Sequence, residues 1–292
     1  MLERINNILA NWNLTALNLP QQYKTGGGRL VYNVDTTIGK IILKGQPLIV
    51  SENVVLNIIR IHEFLGNKHH LAPKIYYQPN GSALWTDDTH YYYVMEFICG
   101  RTANNTPKDW AILGNATAQL HSLIGYDVPC SFNTNEDIQS FKNWYTEKPW
   151  KTEFDAIVNG LPNFNNHAQC LIHSDIGPAN TLIRDDNSVA FIDLDSAGIG
   201  SQFVDLGWPF ITHFVHYSKH NAEMAYKHEL ASSFLKSYYS RNKLTATDYE
   251  LMWQGAAYSH IYNMQWSDET NIMWEKLKFG LQQKNILLES LR

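Results

Sequence analysis

The chain carries Leu171-Ile172-His173-Ser174-Asp175-Ile176-Gly177-Pro178-Ala179-Asn180, then Ala190-Phe191-Ile192-Asp193-Leu194-Asp195. A short apolar run delivers a His and an Asp to a turn containing Gly and Pro. Asn180 follows five positions after Asp175, and a second apolar run ends on two carboxylates. Short apolar runs bounded by turn residues read as strands, here paired as a hairpin of 171–173 with 190–194. A carboxylate at the first turn can orient a hydroxyl and accept its proton. An amide oxygen and a second carboxylate can hold Mg²⁺ against phosphates, so the set supplies the parts of phosphoryl transfer from ATP.

The length of 292 residues allows one large domain or two lobes with a sizeable core. A hydrophobic fraction of 44% and a charged fraction of 17% are globular. A formal charge of −5 without any Lys/Arg run argues against nucleic-acid binding. The longest mostly apolar stretch, Tyr91 to Cys99, is too short for a bilayer span, and no secretory leader is visible at Met1-Leu2-Glu3-Arg4. Three cysteines, Cys99, Cys130 and Cys170, show no metal-like pairing, and a reducing cytoplasm is the expected compartment.

Along the chain, Ile5, Ile8, Leu9 and Trp12 predict an opening helix. Gln21 to Leu43 reads as strands around Gly26–Gly28 and a turn at Thr37-Ile38-Gly39. Ser51 caps a helix carrying Val54, Val55, Ile58, Ile59 and Leu65, stopped by Gly66. Strands return at Lys74–Gln78 and Tyr91–Ile98 across an Asn80-Gly81 turn. From Pro107 the pattern turns helical: Trp110–Leu123, Glu136–Trp150, Glu223–Tyr239, Asp248–Met264 and Ile272–Leu288. The expectation is an α+β chain of two lobes: an antiparallel-sheet lobe over 1–97 and a mainly helical lobe over 98–292, with a ligand cleft between them.

Gly26, Gly27 and Gly28 let the backbone approach phosphate oxygens and adopt positive φ, although an ordinary hairpin turn needs the same residues. The Walker A pattern is absent, which sets that NTPase class aside. Lys44 ends an apolar strand and can place its ammonium on α- and β-phosphates. Lys40 is its rival on the same face, but Lys44 lies just beyond Ile41-Ile42-Leu43, where the strand should enter the cleft. Asp175 reads as the catalytic base, Asn180 as an Mg²⁺ ligand and Asp193 as the principal one, while His173 shapes the loop. Asp195 is either a group for a second metal or substrate, or a partly solvated carboxylate. Asp205, among apolar neighbours, needs donors; backbone amides of the loop bearing Asp175 are candidates, which gives it a supporting role.

Taken together, these motifs resemble the aminoglycoside phosphotransferase and choline kinase-like superfamily, whose fold is similar to that of protein kinases. The resemblance runs from the glycine loop through Lys44, the hinge Met95-Glu96-Phe97-Ile98 with Gly100, His173 to Asn180, and Asp193 to Asp205. It implies ATP and Mg²⁺ as cofactors, with the adenine hydrogen-bonded to backbone at Glu96 and Ile98. Members of this family commonly pair the strand lysine with a helix Glu. The expected place falls near Asn57–Ile58, where no acid stands; Glu52 and Glu63 lie at opposite ends of that helix. A protein kinase fits poorly, because His173-Ser174-Asp175 replaces H-R-D, Ile192-Asp193-Leu194 replaces D-F-G, and little room is left for an activation segment.

The acceptor is expected to be a small, cationic hydroxyl compound, with no nucleic-acid or membrane partner; the oligomeric state is open. An aminoglycoside-like antibiotic comes first, an amino alcohol or homoserine-like metabolite second, and a pseudokinase with a regulatory role is the alternative of a different class. Trp208, Phe210, Phe214, Tyr217, Tyr258, Tyr262, Trp266 and Trp274 can be core residues at helical spacing or a cation-holding set. Asp248, Glu250, Asp268, Glu269 and Glu275 are the acids an aminoglycoside would use.

Overall fold

The computed structural model describes residues 1–127 and 132–290. Cys130 lies outside the described residues; Cys99 is exposed, Cys170 is buried, and both are free thiols. The chain forms two compact units. The first comprises Met1–Arg101 with Leu182–Asp186 and Ala190–Asp195, and the second comprises Thr102–Thr181, Asn187–Val189 and Ser196–Arg292. Among the described residues, no helix is long and apolar enough to cross a membrane.

In the first unit, helix α1 (Leu2–Leu9) buries Ile5, Ile8 and Leu9, the face that an i, i+3, i+4 pattern creates. An antiparallel sheet follows, made of β1 (Gln21–Tyr23), β2 (Leu30–Thr36), β3 (Gly39–Pro47), β4 (Ile75–Tyr76), β5 (Trp85–Thr86) and β6 (His90–Glu96). Its order is β1-β2-β3-β6-β4, with β5 also on β6. Strand alternation splits β3 between two cores. Ile41 and Leu43 join Val34, Tyr92, Val94 and the α1 residues, whereas Ile42 packs with Tyr93 and Met95. That second face receives Val55, Ile58 and Ile59 of α2 (Glu52–His62). Each such fully buried aliphatic side chain is worth about 1.5–3 kcal/mol relative to exposure. Helix α2 runs on into a wide turn at Glu63–Lys68, where Gly66 is required because a Cβ would lie 2.4 Å from the Pro73 carbonyl oxygen.

Strand β7 (Arg101–Thr102) leads to the second unit. Thr106 caps α3 (Pro107–His121), with Pro107 opening the helix, followed by α4 (Thr134–Phe141) and α5 (Lys151–Asn159). Strands β8 (Gln169–Ile172), β9 (Thr181–Ile183), β10 (Val189–Phe191) and β11 (Gly198–Ser201) come next. Then follow α6 (Gln202–Thr212), β12 (Val215–Ser218), β13 (Glu223–Tyr226), α7 (His228–Arg241), α8 (Ala246–Met264), α9 (Thr270–Gln282) and α10 (Lys284–Ser290).

Several sequence expectations change, among them the helix over Ile272–Leu288, which is broken at Gln283 into α9 and α10. The runs at 171–173 and 190–194 do not form a hairpin: β8 pairs with β11, and β10 pairs with β9. The loop from Ser174 to Asn180 carries the chain away from β8, and the short turn through Asn187 (φ 62°) makes β9 the nearest partner for β10. The helix expected over Glu136–Trp150 ends at Phe141, and a separate α5 begins at Lys151. Glu223–Tyr226 is a strand, not the first turn of a helix; its alternation of exposed and half-buried residues suits a two-stranded ribbon with β12.

Helices α6 and α8 cross with backbones nearly touching. A Cβ on Gly255 would lie 2.1 Å from the Phe203 carbonyl oxygen, and one on Gly207 would lie 2.4 Å from the Ala256 nitrogen. Overpacking a contact that only backbone lines costs about 1–3 kcal/mol or more. Gly255→Ala is therefore expected to lower the thermal unfolding midpoint clearly; a midpoint equal to the parent's shows that the crossing can open at no cost.

Candidate active site

In the first unit the charged residues gather around one carboxylate. Lys44 sits on β3, with Val31 and Tyr93 as its cross-strand neighbours, and its side chain is buried. Its Nζ lies 2.5 Å from Asp195 Oδ1 and 3.4 Å from Asp193 Oδ1. Gln46, two residues along the same strand face, donates through Nε2 to Asp195 Oδ2 at 2.9 Å, and Arg29 Nε forms an ion pair with that oxygen at 3.2 Å. Burial works to lower the Lys44 pKa, but the Tyr93 hydroxyl, Asp195 and Asp193 outweigh it and the net shift is upward. Burial likewise works to raise Asp195, and the charge and hydrogen bond of Lys44, aided by Gln46 and Arg29, hold it below the usual carboxylate range.

This arrangement places the partner of Lys44. Glu52 is exposed in the first turn of α2, and Glu63 accepts the Tyr77 hydroxyl proton at 2.6 Å. Asp195 takes the position opposite the lysine instead, and with 6% of its side chain exposed it is not a partly solvated carboxylate. Asp193 differs: its side chain is 47% exposed, and its backbone lies in the left-handed region at φ 59°. Lys40, the rival of Lys44, is exposed and lies over the Phe97 ring.

The glycines occupy the β1–β2 hairpin. Gly27 and Gly28 have φ of 65° and 73°, which is what requires glycine there, since an added Cβ at Gly26 or Gly27 would meet nothing within 4 Å. His90 Nε2 lies 2.9 Å from the Gly28 carbonyl oxygen and pins the turn. At the other end of the sheet, Glu96 exchanges contacts with Lys74: its N–H donates to the Lys74 carbonyl at 2.9 Å and its Oε2 accepts from the Lys74 N–H at 3.2 Å. Ile98 is buried, and among the described residues its N–H has no hydrogen-bond acceptor.

In the second unit, β8 delivers His173, Ser174 and Asp175 to a loop fixed from below by Asp205. Asp205 is fully buried on α6; its Oδ2 accepts the His173 N–H at 2.9 Å and its Oδ1 accepts the Ser174 N–H at 2.7 Å. His121 Nε2 approaches Oδ2 at 3.0 Å, while its Nδ1 faces the Tyr238 hydroxyl at 3.0 Å, so the tyrosine proton sets the tautomer that donates to Asp205. Ser174 holds a left-handed φ of 66° and donates its hydroxyl to the Ser196 carbonyl at 2.6 Å. The Asp175 N–H donates to His173 Nδ1 at 3.3 Å. Asn180 donates Nδ2 to Asp175 Oδ2 at 2.7 Å and to the Asp175 carbonyl at 3.0 Å. Gly177 has no room for a side chain: a Cβ would lie 2.4 Å from His213 Nε2. Burial, with Lys276 and Lys227 adding, pushes the His213 pKa down to about 4, so this ring meets the loop uncharged.

Arg29, Gln46, His121 and His213 are the residues that motif reading overlooked. Their partners are far away in sequence, 149 residues for Gln46 and 84 for His121, and only Arg29 carried a local signal by standing next to the glycines. Asn180 and Asp193 offer oxygens suited to a hard cation. Asn180 spends its Nδ2 on Asp175 and keeps Oδ1, and Asp193 keeps an exposed carboxylate. Among the described residues, no three His, Cys, Asp or Glu side chains cluster to hold a metal.

Of the aromatic set, Phe210, Phe214, Tyr258 and Trp274 are buried in the second unit's core, and Trp266 is exposed. Tyr258 stacks on Tyr262 and donates its hydroxyl to Asp137 at 2.5 Å. Most of the acids considered for a cationic acceptor are engaged: Asp248 closes a capping box with Thr245, and Glu250, Glu269 and Glu275 pair with Lys284, Lys219 and Lys278.

The model of the phosphotransferase enzyme family (APH) matches residues 21–229. The fold is similar to that of a microcompartment-associated aminopropanol kinase, at 16% identity and a TM-score of 0.70, covering 100% of this chain and 99% of that one. It is also similar to an amicoumacin kinase in complex with AMP-PNP, Ca²⁺ and Ami, at 16% identity and a TM-score of 0.67, covering 97% and 92%. An uncharacterized protein of Deinococcus radiodurans is 26% identical over 173 residues, 54% of this chain, and the match spans 48% of that relative's length.

The Lys44–Asp195 pair gives stability a defined pH window. The depressed Asp195 pKa contributes stability that is present above its unfolded value, about 4, and lost as pH falls through the folded value. The raised Lys44 pKa contributes stability that is present below about 10.4 and lost as pH rises through its folded value. Asp195→Asn is therefore expected to lower the melting temperature at neutral pH, with parent and variant curves converging as pH falls below about 4. Parallel curves down to strong acid would show that Asp195 is not the titrating partner.

Proposed function

Since this chain belongs to the phosphotransferase enzyme family, we propose that it moves the γ-phosphoryl group of ATP, with Mg²⁺, to a hydroxyl of a small cationic molecule. The observation that carries the reading is Asp175: a carboxylate on a loop fixed by the buried Asp205, with one oxygen oriented by Asn180. In this reading Asp175 accepts the proton of the acceptor hydroxyl as its oxygen bonds to phosphorus, and ADP leaves with the electron pair of the broken bond. Lys44 holds the α- and β-phosphates, and the Ile98 N–H and the Glu96 carbonyl bond the adenine edge; the unpaired, buried Ile98 donor supports that assignment. Asn180 Oδ1 and the Asp193 carboxylate would hold Mg²⁺, which would supply positive charge against the phosphate oxygens. The amicoumacin kinase with AMP-PNP and Ca²⁺ supports the use of a nucleotide and a divalent cation by this fold.

For the acceptor, the similarity to an aminopropanol kinase supports a compound joining a hydroxyl to an amine. Asp137, held by Tyr258 beside stacked Tyr262, supplies a carboxylate and aromatic faces that an ammonium could use, and favours the amino alcohol over a large polycation, because Asp248, Glu250, Glu269 and Glu275 are spent on a helix cap and lysines.

An ATP-consumption screen of aminoglycosides, choline, ethanolamine, aminopropanol, homoserine and simple sugars tests this reading. Turnover with a cationic hydroxyl compound is expected. Asp175→Ala is expected to lower that turnover by about 10²–10⁴-fold, as loss of a general base does, while ADP and ATP analogues still bind. Unchanged turnover in the variant removes Asp175 from the mechanism. A neutral sugar as sole acceptor overturns the cationic class alone, and ATP binding without any turnover favours a regulatory pseudokinase.

A further inference from the structure

We propose that Arg29 is a second phosphate-binding cation, anchored through Nε on Asp195 with its outer guanidinium edge directed to the polyphosphate of a bound nucleotide. The proposal rests on the nucleotide reading above. Arg29 immediately follows the three glycines, and its backbone is tied to their turn: its N–H donates to the Gly26 carbonyl at 3.3 Å, and its carbonyl accepts the Thr25 hydroxyl at 2.5 Å. Any anion that approaches the glycine backbone therefore approaches Arg29.

The guanidinium has five N–H donors in a planar fork. Among the described residues, only its Nε side is engaged, by Asp195 at 3.2 Å, and the two terminal nitrogens have no partner. The Arg29 side chain is 41% exposed, whereas that of Asp195 is 6% exposed and is fixed by Lys44 and Gln46. One end of the pair is rigid and the other opens to solvent. Two cations thus converge on one buried carboxylate, and the outer one keeps its second edge for an oxyanion. An ammonium could not serve both, because it is a point charge without a divided fork. Asp195 is accordingly a positioning residue for two phosphate ligands, Lys44 and Arg29.

The test is isothermal titration of the full chain with ADP, AMP-PNP and adenosine in the presence of Mg²⁺. Loss of a charge-assisted contact predicts about 10- to 100-fold weaker ADP and AMP-PNP binding in Arg29→Ala, with adenosine affinity unchanged. Arg29→Lys, which keeps the charge but not the fork, is expected to recover only part of the loss. Thermal melts of both variants check that they fold. The proposal is overturned if Arg29→Ala binds AMP-PNP like the parent, or if it weakens adenosine equally, which would make Arg29 a support of the loop. A parent that binds none of the three ligands overturns the nucleotide reading and this proposal with it; a parent that binds them beside an indifferent variant overturns this proposal alone.

Discussion

A carboxylate removed from water must be met by donors, and the geometry of the second unit follows from how Asp205 meets that demand. Its two oxygens take the N–H groups of His173 and Ser174 and the His121 ring. An unpaired charge at full burial would cost several kcal/mol, so the loop has little freedom to move without unfolding its support. That rigidity is what a site needs: Ser174 sits in a left-handed backbone conformation, which persists only where the surroundings over-determine it. Asp175 follows directly and is aimed by Asn180. Gly177 closes the same loop against an uncharged His213, where any side chain would displace the ring.

The first unit answers the same demand in a different way. The acid that the family resemblance led one to seek on α2 is missing because the helix spends its register on packing: Val55, Ile58 and Ile59 are core residues, and Glu63 is taken by Tyr77. Lys44 is buried all the same and needs a counter-charge. Asp195 provides it from a segment that is distant in sequence, adjoining Asp193. The lysine and the residue read as the principal metal ligand are thereby tied through one short stretch of chain, so displacing either should be felt by the other.

Much of this was legible in the residues themselves. The helix starts at Thr106-Pro107 and Thr245–Asp248 carry local capping chemistry, and β2, which follows the glycines, alternates in burial. The phosphotransferase motif could be read because its members are close in sequence and unusual in type. What escaped reading was decided by distant partners. Nothing local says that Gln46 meets Asp195, that His121 meets Asp205, or that Glu223–Tyr226 pairs as a strand; only the tertiary neighbour makes those choices. The expected hairpin failed for a related reason: two apolar runs announce strands but do not say which edges they pair with; β10 took the nearer β9, whereas β8 took the more distant β11.

The two carboxylates of Ile192-Asp193-Leu194-Asp195 show how local geometry divides labour between identical groups. Leu194 is fully buried and anchors the turn, and the left-handed backbone at Asp193 turns the chain sharply before it. As a result one carboxylate stays 47% exposed while the other, two residues on, is 6% exposed. Solvation then separates their chemistry. A carboxylate that keeps water can exchange it for a hydrated divalent cation at little cost, whereas one already desolvated and paired with Lys44 would first have to give up that pair. The same two residues in an extended strand would point to opposite faces only if one position apart, and at a spacing of two they would share an environment. The turn is therefore what leaves Asp193 solvated, as a proposed ligand must be, and Asp195 buried as the counter-ion of Lys44, and it does so without any difference in side-chain chemistry.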